Sequence, residues 1–164
     1  MVGTFFGHHD CSNSIRQRLF EAIKNQIKQG TTQFYVGTHG NFDAMALSCL
    51  RSLKQEYPEI RYAAVLAYLP DDAGIFLPEE TIFPEGIETI PKRYAIDYRN
   101  RWMIEHADTV VAYVARSYGG AAKYVARATN LEKRVINLAD DEKIDEVALR
   151  ILRERRKAFE KLAK

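Results

Sequence analysis

The chain has 164 residues, 46% hydrophobic and 28% charged, which suits one globular domain with a substantial core. A formal net charge of +2 gives no bulk electrostatic argument for nucleic acid, and no apolar run approaches the roughly 20 residues of a membrane-spanning helix. No basic stretch precedes the first apolar run, so no signal peptide is read, and the well-separated Cys11 and Cys49 read as reduced thiols of a cytoplasmic protein.

Val2-Gly3-Thr4-Phe5-Phe6 opens the chain as a strand and Gly7-His8-His9 turns it. Ile15, Leu19, Ile23 and Ile27 then recur at every fourth position and predict a helix that Ser12 or Ser14 would cap. A second strand near residues 33–37 ends in Gly37-Thr38-His39-Gly40, and Phe42, Met45, Ala46, Cys49, Leu50 and Leu53 follow it at helical spacing. A third strand is read near 60–67. Residues 68–91 break the rhythm with Pro70, Pro78, Pro84 and Pro91. Because Ile75, Phe76, Leu77, Ile82 and Phe83 argue against free disorder, this stretch reads as an ordered flap over the strand ends.

Tyr98-Arg99-Asn100-Arg101-Trp102-Met103 belongs to a helix leading into a fourth strand near 109–115. Ser117-Tyr118-Gly119-Gly120 opens the next helix, and a fifth strand follows near 134–138. The last helix, over 141–164, carries Ile144, Val147, Ala148, Ile151 and Leu152, with Asp140 or Asp141 as its expected cap. Its basic cluster from Arg153 to Lys157 reads as a solvated face, since Glu154 and Glu160 alternate with it. Five strands alternating with helices imply a Rossmann-like, doubly wound, mainly parallel α/β sheet with helices on both faces, in a single domain over 1–164.

Three strand-to-helix turns carry glycine: Gly7, then Gly37 with Gly40, then Gly119 with Gly120. Such turns lie at the carboxyl ends of strands, where ligands bind. Glycine permits close backbone approach, and the following helix points free N–H groups at an anion. A phosphate-bearing ligand is therefore expected. His8 and His9 read either as partners of a phosphate or ribose or as turn residues satisfied by backbone. Metal binding is disfavoured because these adjacent histidines have no Asp, Glu or Cys at ligand spacing.

Asp43 reads equally as a helix-dipole partner, worth roughly 0.3–1 kcal/mol, or as an acceptor for ribose hydroxyls. Arg99, beside Asn100, offers a planar fork suited to phosphate, with a surface arginine as the alternative. Thr38, Asn41, Ser117 and Tyr118 complete the candidate ligand-binding set. The residues point to no cofactor and assign no catalytic group.

Taken together, Thr4-Phe5-Phe6-Gly7-His8, Gly37-Thr38-His39-Gly40-Asn41-Phe42-Asp43, Arg99-Asn100-Arg101-Trp102-Met103, Asp108 and Ser117-Tyr118-Gly119-Gly120-Ala121-Ala122 resemble the SLOG superfamily. These Rossmann-like nucleotide-binding proteins include the LONELY GUY phosphoribohydrolases and the DNA-processing protein A fold. The likeness, nearest to small stand-alone bacterial members, runs from about residue 2 to residue 139. It implies a nucleotide or nucleotide-derived ligand, such as an ADP-ribose derivative, held by Gly7, Gly37, Gly40, Gly119 and Gly120, and a homo-oligomer.

Two departures qualify the resemblance. The hydrolase signature Pro-Gly-Gly-x-Gly-Thr-x-x-Glu is answered by Tyr118 to Ala126, so Ala126 stands at the catalytic glutamate position and Tyr98 at the glutamate before Arg99. His9 stands where the nearest members would carry arginine. The first expectation is thus sensing or sequestration without turnover. A second is N-glycosidic hydrolysis of nucleoside monophosphates using Asp43, Glu105 or an acid of the flap. The third, a nucleic-acid or protein interaction module, is disfavoured by the near-neutral charge.

Overall fold

The structure, a computed structural model, describes residues 1–68 and 78–162. Its sheet comprises β1 (Val2–Gly7), β2 (Gln33–Val36), β3 (Arg61–Val65), β4 (Thr81–Ile82), β5 (Thr109–Tyr113) and β6 (Arg134–Asn137). The helices are α1 (Arg16–Lys28), α2 (Asn41–Glu56), α3 (Lys92–Glu105), α4 (Gly120–Asn130) and α5 (Leu138–Leu162). Strand order is β4-β3-β2-β1-β5-β6, and every neighbouring pair is parallel. The expected doubly wound α/β architecture is therefore present.

Successive strand residues point to opposite faces, which divides the core. Phe5 joins Leu19, Ile23, Phe34 and Leu50 beneath α1 and α2, whereas its neighbour Phe6 joins Met103, Val110 and Tyr124 beneath α3 and α4. Each fully buried side chain of this size contributes about 1.5–3 kcal/mol. From β1 the chain winds outward to β4, then crosses back to set β5 on the other side of β1, with Gly7 level with Tyr113. This reversal opens a crevice at the carboxyl ends of β1 and β5.

Three features differ from expectation. The sheet has a sixth strand, because Thr81 and Ile82 add an edge beside Ala64 and Val65. Two residues are too few to show any periodicity. Glu80 fixes this edge by accepting from Arg51 Nη2 at 2.7 Å and from the Tyr62 hydroxyl at 2.5 Å. Elsewhere in the expected flap, short 3₁₀ turns form at Pro78–Glu80 and Ile87–Thr89, while Ile75, Phe76 and Leu77 lie outside the described residues.

The last helix begins at Leu138, ahead of Asp140 and Asp141. Its cap is Asn137, whose Oδ1 accepts from the Ala139 and Val114 N–H groups at 3.3 and 3.0 Å. Near the first turn, Ser12 Oγ accepts from Ser14 N–H at 3.2 Å and caps the 3₁₀ turn Asn13–Ile15 that leads into α1. Cys11 and Cys49 are free and buried, and burial pushes the Cys11 thiol up to about 11. Among the described residues, no helix is long and apolar enough to cross a membrane.

Candidate functional site

The crevice holds a cavity of about 480 Å³. The turn after β1 supplies Gly7, His8 and His9, and the turn after β2 supplies Gly37 and His39, with Asp43 from the start of α2. Arg99 and Asn100 reach it from α3, and Arg116, Tyr118, Gly119 and Gly120 close the side below α4. Most of the candidate residues therefore line one space, although they come from four separate stretches of chain.

Thr38, Gly40, Asn41 and Ser117 do not line it. Thr38 accepts from Arg99 Nη1 at 3.3 Å. Asn41 ties the first two turns together, donating from Nδ2 to Cys11 O at 2.7 Å and from its backbone to His9 O at 2.8 Å. These groups support the wall.

The glycines divide by what occupies the missing side chain. A Cβ on Gly7 would sit 2.2 Å from the Phe42 ring, one on Gly37 2.4 Å from Asp43 Oδ2, and one on Gly40 2.4 Å from His9 Cα. At those turns glycine lets the protein close on itself. At Gly119 and Gly120 a Cβ would meet nothing within 4 Å. Gly119 has a left-handed φ of 94° and precedes the first residue of α4. The amino terminus of α4 thus faces open space, and its first N–H groups, which have no partner among the described residues, lie beside the cavity.

Arg99 is 2% exposed, so it is no surface arginine. Nη1 donates to Val65 O at 3.0 Å, and Nη2 lies 3.3 Å from His39 Nδ1. Since guanidinium only donates, His39 Nδ1 accepts, leaving Nε2–H for the Tyr68 hydroxyl at 3.1 Å. Arg99 Nε is buried without a partner among the described residues. Burial lowers the Arg99 pKa, and Asp43 opposes that shift.

Asp43 accepts from His39 N–H at 3.0 Å. Burial raises its carboxyl to about 6 despite the nearby Arg99 and that hydrogen bond. His39 is pushed below its ordinary value by burial and then by Arg99.

His8 takes the backbone-satisfied role: buried, it accepts at Nε2 from Ala115 N–H at 3.1 Å. Burial, followed by the Arg116 charge, lowers its pKa and favours the neutral ring.

Sequence reasoning missed Arg116. Its two terminal nitrogens meet the Asp10 carboxylate at 3.3 and 3.1 Å, joining the β1 turn to the β5 turn. The guanidinium also lies 5.4 Å from the Tyr118 ring centre, and its Nε is buried without a partner among the described residues. The available signal was an arginine directly before the third glycine turn. Asp97 was missed as well. Its Oδ1 accepts from Lys123 Nζ and the Tyr124 hydroxyl, both at 2.6 Å, which locks α3 to α4 and holds the glycine turn in place.

Other expected residues lie elsewhere. Glu105 pairs with Arg127 at 3.1 Å and lies outside the cavity wall. Asp108 accepts from Val2 N–H at 2.8 Å, at the opposite end of the strands. Tyr98 donates its hydroxyl to Glu85 O at 2.6 Å. Compared with models of known protein families and with curated proteins, the chain matches none.

Proposed function

We propose that the β1/β5 crevice binds a nucleotide or nucleotide-derived ligand, such as an ADP-ribose derivative, and that the protein senses or sequesters it. The observation that carries this reading is the open space at Gly119 and Gly120, in one cavity with two arginines whose Nε atoms are buried and have no partner among the described residues. A buried donor without a partner costs about 1–3 kcal/mol, more when charged, and a phosphate oxygen would recover it. The amino terminus of α4 adds free N–H groups and the favourable end of its dipole. Phe6, Ile96 and Met103 offer an apolar wall for a base, and Tyr118, 69% exposed, offers a ring to stack on it.

Sensing without turnover rests on the resemblance to the phosphoribohydrolases, whose two glutamate positions are answered here by Ala126 and Tyr98. Calorimetry with nucleoside mono- and diphosphates and ADP-ribose should give saturable binding of about one ligand per chain, with the ligand recovered intact. No heat from any member of that panel overturns the reading.

A second reading, N-glycosidic hydrolysis of nucleoside monophosphates, draws on Asp43. A cavity carboxyl raised to about 6 is ionised yet basic enough at neutral pH to take a proton from water. It requires release of free base that stops in Asp43→Asn. A mixed nucleotide pool that yields no free base rules it out.

A further inference from the structure

The far end of α5 has no place on the domain. Leu138 and Ala139 are buried, but every side chain from Glu146 to Lys157 is exposed. Val147 is 46% exposed, Ile151 44% and Leu152 62%. With Ile144 and Ala148 they recur at the three- and four-residue spacing of one helical stripe. Most helical stability in proteins comes from covering such a stripe by packing.

Charge indicates what covers it. The first half of α5 carries Asp140, Asp141, Glu142, Asp145 and Glu146, and the second carries Arg150, Arg153, Arg155, Arg156, Lys157 and Lys161. Lys143 in the first half, and Glu154 and Glu160 in the second, are the exceptions. The helix dipole favours this polarity only within the first and last turns, whereas the basic series starts at mid-helix. Parallel pairing of two copies would set like charge against like. Antiparallel pairing sets each acidic half against a basic half.

We propose that α5 packs antiparallel against α5 of a second copy of this chain, about a two-fold axis near Ala148. Such an interface is self-complementary, as a closed dimer requires. The small side chain at the axis lets the two helices approach closely. In this register position 141 faces position 155 twice about the axis, an aspartate opposite an arginine in the sequence.

Sedimentation equilibrium of the full chain should show a concentration-dependent dimer. Arg155→Asp and Asp141→Arg should each weaken it at least about tenfold, because each sets like charges together. An equimolar mixture of the two variants should restore it, because each then faces its opposite. Under mild oxidation Ala148→Cys should link two chains and Arg155→Cys alone should not; the native cysteines are buried.

A monomer at every concentration overturns the proposal. So does a dimer that Ala148→Cys fails to link, one that Arg155→Cys alone links, or one indifferent to both charge variants.

Discussion

One added methyl has opposite consequences at different glycines of the strand-end turns. At Gly7 it would enter the Phe42 ring, so Gly7→Ala should lower stability by about 1–3 kcal/mol, seen as a reduced Tm. Gly120 has no positive φ and no neighbour within 4 Å, and it opens a helix. Gly120→Ala should therefore keep or raise stability, by up to about 1 kcal/mol, while its methyl would obstruct the proposed phosphate position. A variant that is stable yet weak in binding separates ligand space from structural space.

Asp43 gives the site a pH signature. Its folded pKa of about 6 exceeds the ordinary 3.8, so the protonated form is favoured by folding. That contribution is complete below pH 4 and lost as pH rises through about 6. His8 and His39 are shifted down, so their effect runs the other way, gaining stability as pH rises towards 6.5. Comparing wild type with Asp43→Asn isolates the carboxyl. Between pH 4.5 and 7 the wild type should lose stability relative to the variant by about 2 kcal/mol, measured by urea denaturation. Parallel curves would show that Asp43 titrates near its ordinary value.

Among the elements, Arg99 is a joint between α3, the end of β3 and the turn after β2. Arg99→Met should destabilise by roughly 1–3 kcal/mol, because the buried Val65 carbonyl loses its side-chain donor and the Asp43 carboxylate loses a nearby positive charge. Adding Asp43→Asn should return part of that loss, with a coupling of roughly 0.5–3 kcal/mol in a double-mutant cycle. Zero coupling would show that the two residues do not act together.

Legibility in the sequence follows the same divide between local and distant causes. α1 and α2 were legible because Leu19, Ile23, Phe42 and Leu50 repeat at the period that buries one helix face. The glycine turns were legible because glycine marks unusual backbone. β4 was hidden by its length, and the cap of α5 by Asn137 being also the last residue of a strand. Arg116 was hidden by distance: its partner Asp10 is 106 positions away, and only the pairing of β1 with β5 brings them together.

For the whole molecule, winding direction determines where chemistry is possible. The reversal beside β1 brings two glycine turns, the amino terminus of α4 and two arginines to one crevice, while α5 starts from the end of β6 with Leu138 in the core beneath α1 and α2. Among the described residues no part of α5 lines the crevice, so disrupting the α5 stripe should leave the affinity of the proposed ligand site unchanged.

The most direct measurement is calorimetric titration of wild type and Gly120→Ala with one nucleotide panel. The wild type should bind at least one member saturably, at about one per chain. Gly120→Ala, folded at least as stably, should bind it at least about tenfold more weakly. Silence across the panel, or equal affinity in the two proteins, would contradict a phosphate site at the amino terminus of α4.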